Sequence, residues 1–271
     1  MRAKRRFGQH FLEPAWVARL VDAVGPHSGD HVLEIGAGRG ALTRPLARRV
    51  ERLLAVEIDR DLGADLVATV PPNVSVTIGD VLDLDLGAVI GAVLRPPIRA
   101  VGNLPYNAAA PILFKLVHAA DEGRVIAEAA LMVQREVAAR IAAGPGSGEY
   151  GILSVLVQRA AEVAVVLQVP PGAFRPVPKV ESAVVRLTFR PPTVRPANPE
   201  RFDALVRGIF AYRRKTVANA LRHWSGLPSP VVAGWLDRAG VEARRRPETL
   251  HLVELARLAD LFDSVARAPV L

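Results

Sequence analysis

Four consecutive residues, Asn103-Leu104-Pro105-Tyr106, join a side-chain amide, a stiff turn and an aromatic ring. The Asn103 amide oxygen and a backbone carbonyl near Leu104–Pro105 can accept both hydrogens of an exocyclic amine. An amine on an aromatic ring is a poor nucleophile because its lone pair is delocalised into the ring. Two fixed acceptors favour a more tetrahedral nitrogen with its lone pair directed outward. Proline fixes its φ and has no N–H, which suits a loop presenting carbonyls. Tyr106 can stack on a base that is unpaired or has left its helix. Without that context the same residues make a turn in which Asn103 caps and Tyr106 packs on the core.

A second constellation lies upstream. Leu33-Glu34-Ile35-Gly36-Ala37-Gly38-Arg39-Gly40 puts glycines directly after an apolar run. They permit a tight turn and a close approach of backbone to a ligand at the next helix. Glu57, about 20 residues on, can accept hydrogen bonds from ribose hydroxyls. Asp80, in Ile78-Gly79-Asp80, can accept from an adenine amine or cap a turn. Glycines, Glu57 and Asp80 end three successive strands and converge on one crevice. These residues alone suit a nicotinamide cofactor and S-adenosylmethionine equally.

The positioning elements follow from periodicity. Glu13–Val24 has helical spacing, with Trp16, Val17, Leu20, Val21 and Val24 on one side. His31–Ile35, Leu53–Ile58, Val74–Ile78, Ile98–Val101 and Ala130–Val133 read as strands. Between them, helices are expected near Leu42–Val50, Leu62–Val70 and Pro111–Ala119. Such βαβ alternation implies a parallel sheet covered on both faces. Ile152–Val157, Val163–Val169 and Ala183–Phe189 are further apolar runs, read as strands too close together for helical crossovers, so antiparallel pairing is expected there. The proline-rich 191–199 reads as a linker, and beyond it only helices are expected, at roughly 200–212, 215–224, 229–239 and 248–265.

Asn103–Tyr106, following the fourth strand, resembles the [DNS]-[PL]-P-[YF] motif of methyltransferases acting on nucleobase amino groups. The chain as a whole resembles the ribosomal RNA adenine dimethylase family. Arg6–Leu12 (RFGQHFL), Glu34–Gly38 (EIGAG), Gly102–Tyr106 (GNLPY), Phe174–Ala183 (FRPVPKVESA) and Phe210–Asn219 (FAYRRKTVAN) carry the likeness. It implies a Rossmann-like class I methyltransferase, α/β, with a mostly parallel seven-stranded sheet and a small C-terminal all-helical domain. The implied layout is a basic arm and cofactor lid at 1–12, a methyltransferase domain at 13–190, a linker at 191–199 and a helical RNA-binding domain at 200–271.

The resemblance further implies S-adenosylmethionine contacts at His10, Leu12, Gly36, Glu57, Asp80 and Asn103. Many members have Asn at the position of His10. It implies catalytic roles for Asn103, Leu104, Pro105 and Tyr106, with Phe174 stacking opposite Tyr106 and Lys179 near phosphate. The longer helical tail and the F-x-P-x-P-K-V-x-S-A form are similar to the small-subunit branch. That branch dimethylates N6 of two neighbouring adenosines near the 3′ end of 16S rRNA during subunit assembly. Methylation of 23S rRNA, a non-catalytic assembly factor and a nicotinamide oxidoreductase are the alternatives. A sulfonium donor requires no metal, and none is expected.

Composition bounds the remainder. The 271 residues contain no cysteine, which excludes disulfides, a thiol nucleophile and thiolate zinc sites. No apolar run nears the roughly 18 residues needed to cross a bilayer, and no apolar stretch follows the basic start, so a cytoplasmic protein is expected. The net charge is +8, which favours a polyanionic partner. Residues 1–190 hold 22 Lys/Arg against 19 Asp/Glu, and 191–271 hold 13 against 8, so the excess lies in the tail. Candidate RNA contacts are Arg2, Lys4, Arg5 and Arg6, then Arg213–Lys215, with Lys215, Asn219 and Arg222 on one helix face, and Arg244–Arg246. No apolar seam for self-association is evident, so a monomer is expected.

Overall fold

The computed structural model describes residues 10–123, 125–192 and 194–266. Arg2, Lys4, Arg5, Arg6 and the rest of the segment through Gln9 lie outside the described residues.

The chain divides into two compact units. One comprises residues up to Ala139 together with Ala160–Pro191; the other comprises Arg140–Arg159 and everything from Pro192 onward. The first unit opens with β1 (Phe11–Leu12) and α1 (Pro14–Val24). Proline at the first helical position and Gly25 in the left-handed region bracket α1, which buries Val17, Leu20, Val21 and Val24. The alternating series is β2 (His31–Ile35), α2 (Thr43–Ala47), β3 (Arg52–Glu57), α3 (Arg60–Val67), β4 (Val74–Ile78), α4 (Leu86–Val93), β5 (Ile98–Asn103), α5 (Ala109–Gly123) and β6 (Ile126–Gln134). α6 (Arg135–Ala142) follows. After α7 (Ile152–Ala160) come β7 (Ala161–Val169), β8 (Phe174–Arg175) and β9 (Ser182–Phe189).

Seven strands form one sheet in the order β4-β3-β2-β5-β6-β9-β7. β4 through β6 pair in parallel, and β9 runs antiparallel to both β6 and β7. All five residues of β2 are buried, as a central strand of a two-sided sheet requires. From β2 the chain moves outward through β3 and β4, then returns to β5 on the other side of β2. The carboxyl ends of β2 and β5 therefore flank the switch point, where such sheets bind ligands. Ile35 sits opposite Gly102 in that register, one residue before Gly36 and Asn103.

The second unit comprises α7 with α8 (Pro199–Phe210), α9 (Val217–Ser225), α10 (Ser229–Ala239) and α11 (Leu252–Ala266). Asn198 and Thr216 cap α8 and α9 through their side-chain oxygens. Trp224, Trp235 and Phe262 form a ring cluster with centroid separations of 5.1–6.4 Å. The Trp235 indole donates to the Leu258 carbonyl at 3.0 Å.

Two expectations are overturned here. Ile152–Val157, read as a strand, is helical, and Ser154 through Val157 are all buried. An apolar run of six residues is too short for periodicity to separate a buried helix from a buried strand. The segment 140–159, read as part of the methyltransferase domain, groups with the C-terminal helices instead, so residues 200–271 are not a separate unit.

Candidate cofactor and target-base site

A cleft of about 850 Å³ opens at the carboxyl edge of the sheet, lined among others by His10, Leu12, Glu34, Gly36, Glu57, Asn103 and Tyr106. A second hollow of about 730 Å³ shares Gly36, Ile58 and Pro105 with it and adds Asp80 and Val81. The expected cofactor residues thus gather around two spaces with a common wall.

Gly36 and Gly38 take φ values of 76° and 57°, which side-chain-bearing residues adopt only with strain. That conformation turns the Gly38 N–H onto Glu57 Oε2 at 2.7 Å, while the Asp59 N–H donates to Oε1 at 2.8 Å. Both carboxylate oxygens are therefore fixed by backbone, and Glu57 is only 4 % exposed. Burial raises its pKa, and the two N–H donors oppose that rise. Asp80 Oδ1 accepts from the Leu82 N–H at 2.9 Å, so this residue caps its turn as well as facing the second hollow.

Asn103 Nδ2 donates to the His10 carbonyl at 3.0 Å. This assigns the amide orientation, because a carbonyl only accepts, and it leaves Oδ1 as the acceptor on the other branch. The Leu104 N–H is tied to the Met132 carbonyl, and the Pro105 carbonyl closes a turn with Ala108 N–H, both at 3.0 Å. The Tyr106 hydroxyl bonds Ser182 Oγ at 3.0 Å. The His10 ring stacks on Tyr106 with centroids 5.5 Å apart and an interplanar angle of 24°. Its Nδ1 lies 2.8 Å from the Pro176 carbonyl and must be the donor there. Phe11 and Leu12 hold this strap by pairing antiparallel with Arg175 and Phe174, and Arg39 lies over the Phe11 ring at 4.3 Å.

Phe174 departs from expectation. It is fully buried in the core among Val17, Leu20 and Ala173, and its ring does not reach the cleft. Its strand partner Leu12 and the helix α1 beneath account for that burial, so a stacking role opposite Tyr106 is withdrawn. Lys179 is exposed. Of the basic runs, Arg245 is committed to Glu254 and to the Thr249 carbonyl and hydroxyl. Arg213 donates to the Gly148 carbonyl at 3.3 Å. Asn219 and Arg222 are exposed on α9, opposite buried Val217 and Leu221, while Lys215 precedes the helix.

Sequence reasoning passed over Glu34 and Ser182. Glu34, the one acid inside the apolar run of β2, is 1 % exposed, and its Oε2 has no hydrogen-bond partner. Burial pushes its pKa up to about 7, and the neighbouring Glu57 charge adds to the rise. An acid in mid-strand, where apolar residues surround it, was the signal available.

The donor set fits S-adenosylmethionine. Glu57 presents a carboxylate fixed by backbone, of the kind that suits ribose hydroxyls, in a cleft beside a hollow lined by Asp80 and Val81. Among the described residues no group of His, Asp or Glu is disposed to hold a metal ion.

A family description, "Ribosomal RNA adenine dimethylase", matches residues 1–252. The chain belongs to that family. Among curated dimethylase relatives, "Ribosomal RNA small subunit methyltransferase A" of Xanthomonas euvesicatoria pv. vesicatoria is 46 % identical over 263 residues, 96 % of each chain. The protein of the same name from Xylella fastidiosa strain 9a5c is 41 % identical over 266 residues, 97 % of each. In structure the chain is similar to 23S rRNA methyltransferase ErmE, with TM-score 0.62, 28 % identity, and coverage of 93 % of this chain and 99 % of that one. A Plasmodium falciparum dimethyladenosine transferase shares the fold, with TM-score 0.76, 23 % identity, and 95 % and 98 % coverage. This dimethylase is therefore an rRNA adenine methyltransferase that uses S-adenosylmethionine, and a nicotinamide chemistry is set aside.

Proposed function

We propose that this enzyme dimethylates N6 of two adjacent adenosines near the 3′ end of 16S rRNA during small-subunit biogenesis. One observation carries the reading: Asn103 Nδ2 is held by the His10 carbonyl, and among the described residues its Oδ1, beside Tyr106, has no partner. A free amide oxygen beside an aromatic ring is what an adenine amine needs. Oδ1 accepts one N6 hydrogen. The Pro105 carbonyl is engaged by its own turn, so the Leu104 carbonyl is assigned the second.

Gly36, Glu57 and Asp80 would hold S-adenosylmethionine, which would supply a sulfonium-activated methyl group and leave as S-adenosylhomocysteine. Tyr106 stacks on the flipped base, which requires the His10 ring to give up that face or the base to use the other. Once methylated, the nitrogen is a strong acid and sheds its proton to solvent.

The small subunit is preferred because relatives at 41–46 % identity over nearly the whole chain carry that substrate in their names. Likeness to ErmE favours 23S rRNA as the second reading. Asn103 and Glu57 line the cleft and Asp80 the adjoining hollow, which favours a catalytic reading over a non-catalytic assembly factor. We further assign the protein to the cytoplasm as a monomer; among the described residues no helix is long and apolar enough to cross a membrane.

The test is transfer of labelled methyl groups to undermethylated small subunits, followed by mapping. Label is expected on two neighbouring adenosines of 16S rRNA. Methylation confined to 23S rRNA would overturn the substrate assignment, and an active Asn103→Ala protein would overturn the role of that amide.

A further inference from the structure

The motif Phe174–Ala183 was expected to act through Phe174, which the fold buries. The remainder of that segment is left without a role, and its geometry supplies one. Residues 176–181 form a loop at the carboxyl edge of the sheet, since Ser182 begins β9 opposite Gln134 at the end of β6. Both ends of the loop are fastened to the target-base pocket. At one end the Pro176 carbonyl receives the His10 Nδ1–H, and the His10 ring lies on Tyr106. At the other, Ser182 Oγ bonds the Tyr106 hydroxyl. Pro178 turns inward and is buried.

Between these anchors the loop sets two exposed apolar side chains about a cation. Val177 is 56 % exposed and Val180 38 % exposed, with exposed Lys179 between them. The nearby acids are already matched: Glu181 to Arg135 at 2.6 Å and Glu13 to Arg175 at 3.3 Å. Among the described residues Lys179 has no acidic partner. Two β-branched side chains and one uncompensated cation therefore stand on a proline-stiffened loop at the pocket's rim.

We propose that this loop is an RNA-facing lip, in which Val177 and Val180 take the unpaired nucleotide next to the target adenine while Lys179 meets its phosphate. The inference rests on the rRNA substrate reading above. Any strand that delivers an adenine to Asn103 and Tyr106 carries its neighbours past a loop hung from that same tyrosine. Unstacked bases present apolar faces, and apolar side chains inserted beside them are a recurrent way of holding splayed nucleic acid. β-Branched side chains have few rotamers to lose, and a loop fixed at both ends loses little freedom on binding. With two adjacent adenosines as substrate, the lip would hold one while the other is methylated.

The experiment compares wild type with Val177→Ser/Val180→Ser on undermethylated small subunits. KM for subunits is expected to rise about tenfold, with kcat within about twofold and with S-adenosylhomocysteine affinity and melting temperature unchanged. Val177→Leu/Val180→Leu should restore most of the loss. Lys179→Ala should lower the slope of log affinity against log salt by about 0.7 to 0.9, as loss of one phosphate contact requires. An unchanged KM in the serine variant would overturn the lip while leaving the substrate reading intact. A wild-type protein inactive on small subunits would overturn the reading and the lip with it.

Discussion

Glu34→Gln is the most informative single substitution for the site's physical chemistry. The native carboxyl lies in the central strand at 1 % exposure, and burial raises its pKa from 4.5 to about 7. Below pH 4.5 the folded and unfolded chains both hold the proton. Between 4.5 and about 7 only the folded chain holds it, so stability falls as pH rises through that interval. Above 7 neither does, and the full penalty stays. That difference in pKa corresponds to about 3 kcal/mol. Glutamine keeps the shape and the hydrogen-bonding reach towards Thr43 without a charge to desolvate. The variant should match wild type near pH 4.5 and exceed it by about 3 kcal/mol at pH 8, an increase of roughly 5 to 10 °C in melting temperature. Scanning calorimetry of both proteins from pH 4.5 to 8 measures this directly. The other carboxylates titrate in both proteins, so the difference reports Glu34 together with its coupling to Glu57. Parallel pH profiles would refute the claim that burial keeps this acid protonated near neutrality.

Three further outcomes are expected. Glu57→Gln sets an amide NH2 against either the Gly38 or the Asp59 N–H and should weaken S-adenosylhomocysteine binding about tenfold or more by calorimetric titration. Gly102→Ala places a Cβ 2.6 Å from the Ile35 carbonyl oxygen, across the central β2–β5 pairing; a loss of about 1 to 3 kcal/mol is expected in denaturant melts, with slower methyl transfer because Asn103 is the next residue. Gly208→Ala drives a Cβ to 1.9 Å from Trp224 Cδ1, within the Trp224–Trp235–Phe262 cluster. It should destabilise the helical unit by about 2 to 3 kcal/mol yet spare cofactor binding, as hydrogen exchange and titration together would reveal.

Much of the site could be read in advance because its residues do chemistry through type and position. Glycines after a strand, Glu57 at the next strand's end and Asn103 beside a proline each follow from backbone geometry that periodicity exposes. His31–Ile35 and Val74–Ile78 emerged with the bounds expected of them. What escaped was set by long-range packing. The apolar run that became α7 is six residues long, too short for its period to be told apart from a buried strand's. β1 and β8 are two residues each, too short for any pattern, yet their pairing decides that Phe174 faces the core. The role of Glu34 depends on its depth, and that of Ser182 on Tyr106, 76 residues away. Arg245 sat in a run of three arginines that looked like a surface charge patch, and only the fold reveals its commitment to Glu254.

The assignment of Arg140–Arg159 to the helical unit has a consequence for synthesis. These residues leave the ribosome before the two last strands of the sheet and well before α8 to α11, with which they group; Tyr150, for one, packs on the Phe210 ring and donates to the Leu250 carbonyl. A nascent chain that has completed only the sheet thus still carries α7 without its partners, and the helical unit closes only when translation of α11 is done. Deleting the tail from the linker onward strands that segment in the same state. Excising the helices as a module therefore requires taking a piece from the middle of the gene as well as its end.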